Sequence, residues 1–226
     1  MQLLEIDHDG DAVLRLNTSE DSNIDILVSS KVLTMVSPVF AAMLSPRYRE
    51  GQRSASGTLS PIPLPEDDCD AMIVLCHIFH FKYSELPATP DLELFKNLAL
   101  ICDKYDCVSV LKFISEQWLL KWEKASSGEE LETLLFISYI FGRPERFSAL
   151  SARIIKEFTG NLKQLKTLSS FDAVPYEMLS NIHHAAGSTS WLLKNSCRGP
   201  QSAAESNAER YRGVCCKSAR VYGSVL

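Results

Sequence analysis

Cys76, His77 and His80 fall within one apolar stretch, and the two histidines stand three residues apart. On a helix that spacing presents two imidazoles together, which is how a zinc site gathers part of its ligands. No second Cys/His pair at metal spacing accompanies them. A helix this apolar uses its histidines at the edge of a core. His183 and His184 are adjacent, so they point to different helical faces and suit no shared ligand set. Glu66, Asp67 and Asp68 could be taken for a metal or acid pair, but a helix N-terminus attracts carboxylates without any chemistry. The chain contains no Gly-x-Ser-x-Gly elbow, no glycine-rich phosphate loop and no His-Glu-x-x-His. No catalytic residue, metal ligand or cofactor-binding residue is assigned, and the protein is expected not to be an enzyme.

The cysteines fit that view. Cys69, Cys76, Cys102, Cys107, Cys197, Cys215 and Cys216 are odd in number and lack Cys-x-x-Cys spacing. Reduced, buried thiols at Cys76 and Cys102 behave as small core hydrophobes. Lys+Arg 23 against Asp+Glu 28 gives a net charge of -5, whereas nucleic-acid binders usually present a basic surface. No apolar run reaches the roughly 18 residues of a membrane span, and residues 1–8 resemble no signal peptide. A protein inside the cell, cytoplasmic or nuclear, with no membrane partner is the expectation.

The elements that would position any functional residue follow from periodicity. Residues 11–17 alternate as a half-buried strand, and Ile24 to Val28 forms a second, so the two make a hairpin. Ser29 and Ser30 cap a short helix over Lys31 to Val36, and Ser37 with Pro38 starts another through Leu44. Residues 46–60 read as a polar loop. Three prolines in Pro61 to Pro65 allow only a short edge strand around Ile62 to Leu64. Ala71 to Tyr83 is apolar nearly all round, which marks a buried helix. Asp91 caps the next helix, with Phe95, Leu98, Ala99 and Cys102 on one face. Val108 to Trp122 gives another, striped by Leu111, Ile114, Trp118 and Trp122.

A polar spacer at Glu123 to Glu130 then marks a boundary. Beyond it, Leu131, Leu134, Leu135 and Ser138 describe a helix stopping at Gly142. Pro144 opens a second with Phe147, Leu150, Ile154 and Phe158 on one side. Weaker helical signals follow at Leu162 to Leu168 and Pro175 to Ala185. After Lys194 the apolar period disappears and Arg198, Arg210, Arg212, Lys217 and Arg220 outnumber Glu205 and Glu209. The expected organisation is an α+β domain over 1–122, an all-helical extension over 123–193 and a disordered basic tail over 194–226.

Several ordered segments resemble the BTB/POZ family. Asp11 to Leu16 looks like its opening strand. Val28 to Leu33 running into Ser37-Pro38-Val39-Phe40 is similar to its Val-x-x-x-x-Leu and Ser-x-x-Phe signature. Ile62 to Asp68 with the apolar helix after it looks like the next strand and helix. Leu98 to Asp106 is similar to its Ala-Asp-Lys-Tyr segment. The likeness covers about half the chain. Serines at 29 and 30 where the family usually carries a histidine, with Phe141 to Phe147 downstream, most resemble BTB proteins of filamentous fungi.

That resemblance implies a protein-interaction module, often homodimeric, with a small sheet flanked by helices. Val32, Met35 and Val36 are the expected contributors to a homodimer face. Some family members are substrate adaptors of cullin-RING ubiquitin ligases, through a hydrophobic-x-Glu motif that Tyr48-Arg49-Glu50 fits. Phe40, Met43, Tyr48 and Glu50 then form the expected cullin-type face. A co-repressor pocket in the zinc-finger subfamily pairs an Asp with a basic residue; Asp11 matches the acid, but Ser30 stands at the basic position. A third class of function is contact with nucleic acid through the basic tail, with Tyr211 and Tyr222 stacking on bases. The overall charge makes it the least favoured.

Overall fold

A computed structural model describes residues 2–17, 23–45, 61–122 and 128–157. The protein is α+β: a mixed four-stranded sheet and, among the described residues, seven α-helices. The chain divides into two compact units, Met1–Trp118 and Leu119–Leu226.

The sheet is built from β1 (Gln2–Glu5), β2 (Ala12–Asn17), β3 (Asn23–Val28) and β4 (Ile62–Leu64), in the order β1-β3-β2-β4. β2 and β3 pair antiparallel from Ala12 against Val28 to Asn17 against Asn23, the hairpin the alternation predicts. β4 joins β2 in parallel at the edge, as its prolines demand. β1, which alternation does not reveal, forms the other edge and runs parallel to β3. It is carried back by a turn in which Ile6 and Asp7 both donate to the Leu27 carbonyl. Gly10 closes that turn where a Cβ would lie 2.9 Å from backbone oxygens of Asp7 and Val28. The period-2 face of Leu14, Leu16, Ile26, Ile62 and Leu64 is buried. β2 is more buried than a half-exposed strand: Val13 is also covered, and Arg15 forms a bidentate pair with buried Asp25, both contacts 2.7 Å.

Two short helices follow, α1 (Ser30–Val36) and α2 (Pro38–Met43). Beyond β4, α3 (Cys69–Phe79) is buried almost throughout, from Ala71 to Phe79. It ends four residues earlier than its apolar composition suggests, because Phe81 turns into the left-handed region at φ 60 and a 3-10 turn occupies Tyr83–Glu85. α4 (Leu92–Lys104) starts at Asp91, whose carboxylate accepts from the Leu94 N–H at 2.8 Å. Its stripe of Phe95, Leu98, Ala99 and Cys102 is buried. The expected helix at Val108 opens as a 3-10 turn, Val108–Leu111, before α5 (Lys112–Lys121). Trp118 meets Phe95 edge-on, ring centroids 5.5 Å apart.

In the second unit, α6 (Gly128–Ile140) and α7 (Pro144–Glu157) pack on each other. α6 begins inside the stretch expected to be a spacer. Leu131, Leu134, Leu135, Phe136 and Ile137 are all buried on it. Gly142, at φ 59, ends it, and Pro144 starts α7 with Phe147 and Ile154 inward. The polar loop over 46–60, the helical signals after 158 and the basic tail lie outside the described residues. Among the described residues, no helix is long and apolar enough to cross a membrane.

Candidate interaction surface

The geometry of α1 and α2 starts with their serines. Ser29 caps α1, its hydroxyl accepting from the Val32 N–H at 3.4 Å. Ser30 donates through both its N–H and its hydroxyl to the Asp11 carboxylate, at 2.7 and 2.8 Å. The Ser29 N–H donates to His80 Nε2 at 3.0 Å, while His80 Nδ1 lies 2.8 Å from the Cys76 carbonyl. Accepting at one nitrogen fixes the other as the donor, so the ring is held as the Nδ1–H tautomer. The first turn of α1 is thus fastened to Asp11, just ahead of β2, and to His80, just past the end of α3. Leu33 points inward and is fully buried.

The opposite side of α1 is open. Met35 is 76% exposed, with Val32 and Val36 half-buried beside it. These are the three residues expected at a homodimer face. A methionine with three free rotations and no burial on its own chain is an adaptable apolar contact.

α2 is arranged the other way round. Ser37 caps it, accepting from the Phe40 N–H at 3.1 Å, and donates its hydroxyl to the Tyr105 carbonyl at 2.6 Å. Phe40 is 0% exposed and lies flat on Tyr105, ring centroids 4.3 Å apart and planes 6° from parallel. Its place on a partner-facing surface is therefore corrected: it is a core residue, held by a ring that the sequence spaces 65 positions away. Met43 is half-buried. Tyr48 and Glu50, the rest of the cullin-type face, lie outside the described residues.

Asp67 stands at a helix start, as expected, but is also buried, accepting from the Tyr105 hydroxyl at 2.5 Å and from Lys104 Nζ at 2.7 Å. Only Asp68 caps α3, accepting from the Ala71 N–H at 2.9 Å. Burial, with the Asp67 hydrogen bond next, holds the Tyr105 hydroxyl far above the usual phenol range. Glu66, Asp67 and Asp68 border an open cleft of about 330 Å3 with Asn97, Leu100, Ile101 and Lys104.

The Cys76-His77-His80 group does not converge as a ligand set. Cys76 is fully buried, its thiol pushed up to about 12 by burial. His80 has both ring nitrogens engaged. His77 is half-buried, and burial lowers its pKa. Among the described residues no group of three or more His, Cys, Asp or Glu is placed to hold a metal ion.

Two further features of this surface are absent from the sequence expectations. One is the tie from His80 to Ser29, which joins residues 51 positions apart and leaves no local pattern. The other is an exposed aromatic pair, Phe81 at 74% and Tyr83 at 55%, which the apolar run made look like buried helix. The signal that could have found it is Lys82 followed by Ser84 and Glu85, polar residues that break the run. Compared with known proteins, no family model matches the chain and no curated protein matches it.

Proposed function

We propose that this chain is a BTB/POZ-like protein-interaction module with a helical extension, working through a surface rather than a reaction, and that it associates with a second copy through α1. One observation carries the reading: Met35 stands 76% exposed between half-buried Val32 and Val36, on a helix whose other side is fastened by Leu33, Asp11 and His80. Apolar side chains on a rigid, pre-positioned element lose little freedom when they are covered, which favours binding. The element order from β2 through α5 supports the family reading, as do the serine caps at 29 and 37. A role as a cullin-type adaptor would draw on Tyr48 and Glu50.

The test is sedimentation equilibrium on the full chain and on Met35→Asp. A carboxylate at the centre of a covered face desolvates without a partner, so self-association should weaken at least about tenfold. The melting temperature should hardly change. A dimer whose stability is the same in Met35→Asp would remove α1 as the face.

A further inference from the structure

Among the described residues, three helices end on the same device, and one of them carries the wrong residue for it. In each, a residue in the left-handed region follows the helix, and two N–H groups turn back to free carbonyls. At the end of α6 the residue is Gly142, φ 59, with N–H groups of Gly142 and Arg143 donating to Tyr139 and Ser138. At the end of α4 it is Asp106, φ 50, with Asp106 and Cys107 donating to Asp103 and Cys102. Glycine has no Cβ to clash, and aspartate tolerates this region better than most. At the end of α3 it is Phe81, φ 60, with Phe81 and Lys82 donating to Ile78 and His77 at 3.2 and 2.9 Å.

A bulky aromatic in this conformation is strained, and burial of its ring could offset the strain. That offset is missing, because Phe81 is 74% exposed. Its ring instead meets Tyr83 edge-on, centroids 6.3 Å apart, and Tyr83 is itself 55% exposed. Neighbouring His80 is tied at both nitrogens, so the loop that displays the pair has a fixed root. Strain kept at an exposed position points to work done outside the chain's own core.

The charges around the pair say what covers it. Exposed Lys82 lies between the two rings in sequence, and exposed Glu85 follows three positions later. A cation and an anion carried by the loop that displays the patch are self-complementary, and Glu85 also accepts from the neighbouring Ser84 hydroxyl at 3.2 Å. Across a two-fold axis Lys82 of one copy meets Glu85 of the other, while the aromatic pairs stack on each other. We infer that the Phe81–Tyr83 loop is a second self-association face, distinct from α1, whose occupant is the same loop of another copy. A chain with two separate two-fold faces assembles beyond the dimer.

The experiment is sedimentation velocity on the full chain across a concentration series, with melting curves on the same samples. Phe81→Gly should raise the melting temperature by roughly 2–4 °C, because it relieves the left-handed strain and uncovers no core. The same change should weaken loop-mediated association at least about tenfold. Lys82→Glu should weaken association too, and adding Glu85→Lys should restore it. A purely structural loop would show neither the restoration nor gained stability paired with lost assembly. Species larger than a dimer that collapse to dimers in Phe81→Gly support the inference. A dimer abolished by Met35→Asp and indifferent to Phe81→Gly overturns it while leaving the α1 reading intact. A dimer abolished by Phe81→Gly and indifferent to Met35→Asp does the reverse. A monomer at every concentration, or capture of a different protein by the loop of a monomeric chain, overturns it as well.

Discussion

α1 and α2 stand side by side in the chain, nearly equal in length, each capped by a serine and each bearing an apolar stripe, yet one is locked and the other is open. On α2, Phe40 is sandwiched against Tyr105, and the Ser37 hydroxyl that caps the helix also grips the Tyr105 carbonyl. On α1, Leu33 alone goes to the core while Met35 is left to solvent. Periodicity names the residues sharing a face and says nothing of which face a distant segment will cover. The largest effect is expected on α2. Phe40→Ala should destabilise the fold by about 3–5 kcal/mol, the usual result of emptying a buried aromatic site. Urea unfolding measures it. A loss under about 1 kcal/mol would mean that Phe40 does not anchor α2.

Next in size is the ring that does the locking. Tyr105→Phe keeps the stack on Phe40 and removes only the hydroxyl that Asp67 accepts from. Asp67 is then left buried with one partner fewer, for a loss of about 1–3 kcal/mol. Tyr105 is raised above its ordinary value of 10.0, by burial first and by Asp67 second. In the unfolded chain it therefore ionises first, so the folded state holds more protons above that pH and stability falls as pH rises beyond about 10. Cys76, raised from 9.0 to about 12 by burial, adds a loss of the same sign that begins above about 9. Stability against pH from 8 to 11 should therefore descend in the wild type, with a shallower descent in Tyr105→Phe. Parallel curves would mean that the hydroxyl ionises alike in both states.

What the sequence makes legible follows this same division. The β2–β3 hairpin, the serine and aspartate caps, the proline-blunted edge at Ile62–Leu64 and the Gly142 stop are written locally, in patterns a few residues long. β1 is not, because a four-residue edge strand with only Leu4 half-covered carries no alternation to see. Phe40 on Tyr105, Asp67 under Tyr105 and His80 on Ser29 are not either. Each joins residues 38 to 65 positions apart. The candidate face was half legible. Val32, Met35 and Val36 come from the stripe, but their openness comes from what fails to cover them.

The smallest effects belong to the outer face of α1 and to the tie that holds its first turn. His80→Ala removes the acceptor of the Ser29 N–H and should cost about 1 kcal/mol, less than Tyr105→Phe because the bond is only part-buried. His80→Gln, which can offer an oxygen at similar reach, should recover part of the loss. Met35→Ser should change stability by less than about 0.5 kcal/mol, since a side chain 76% exposed loses little contact when shortened. Leu33→Ala, on the same helix and facing inward, should cost about 2–5 kcal/mol. That contrast within one helix leaves the caps untouched, and the poorer helix propensity of serine against alanine, about 0.5 kcal/mol, works against the expected order rather than creating it. If Met35→Ser proved as costly as Leu33→Ala in dilute monomer, the outer face of α1 would be covered by its own chain. It would then have nothing left to offer a second copy.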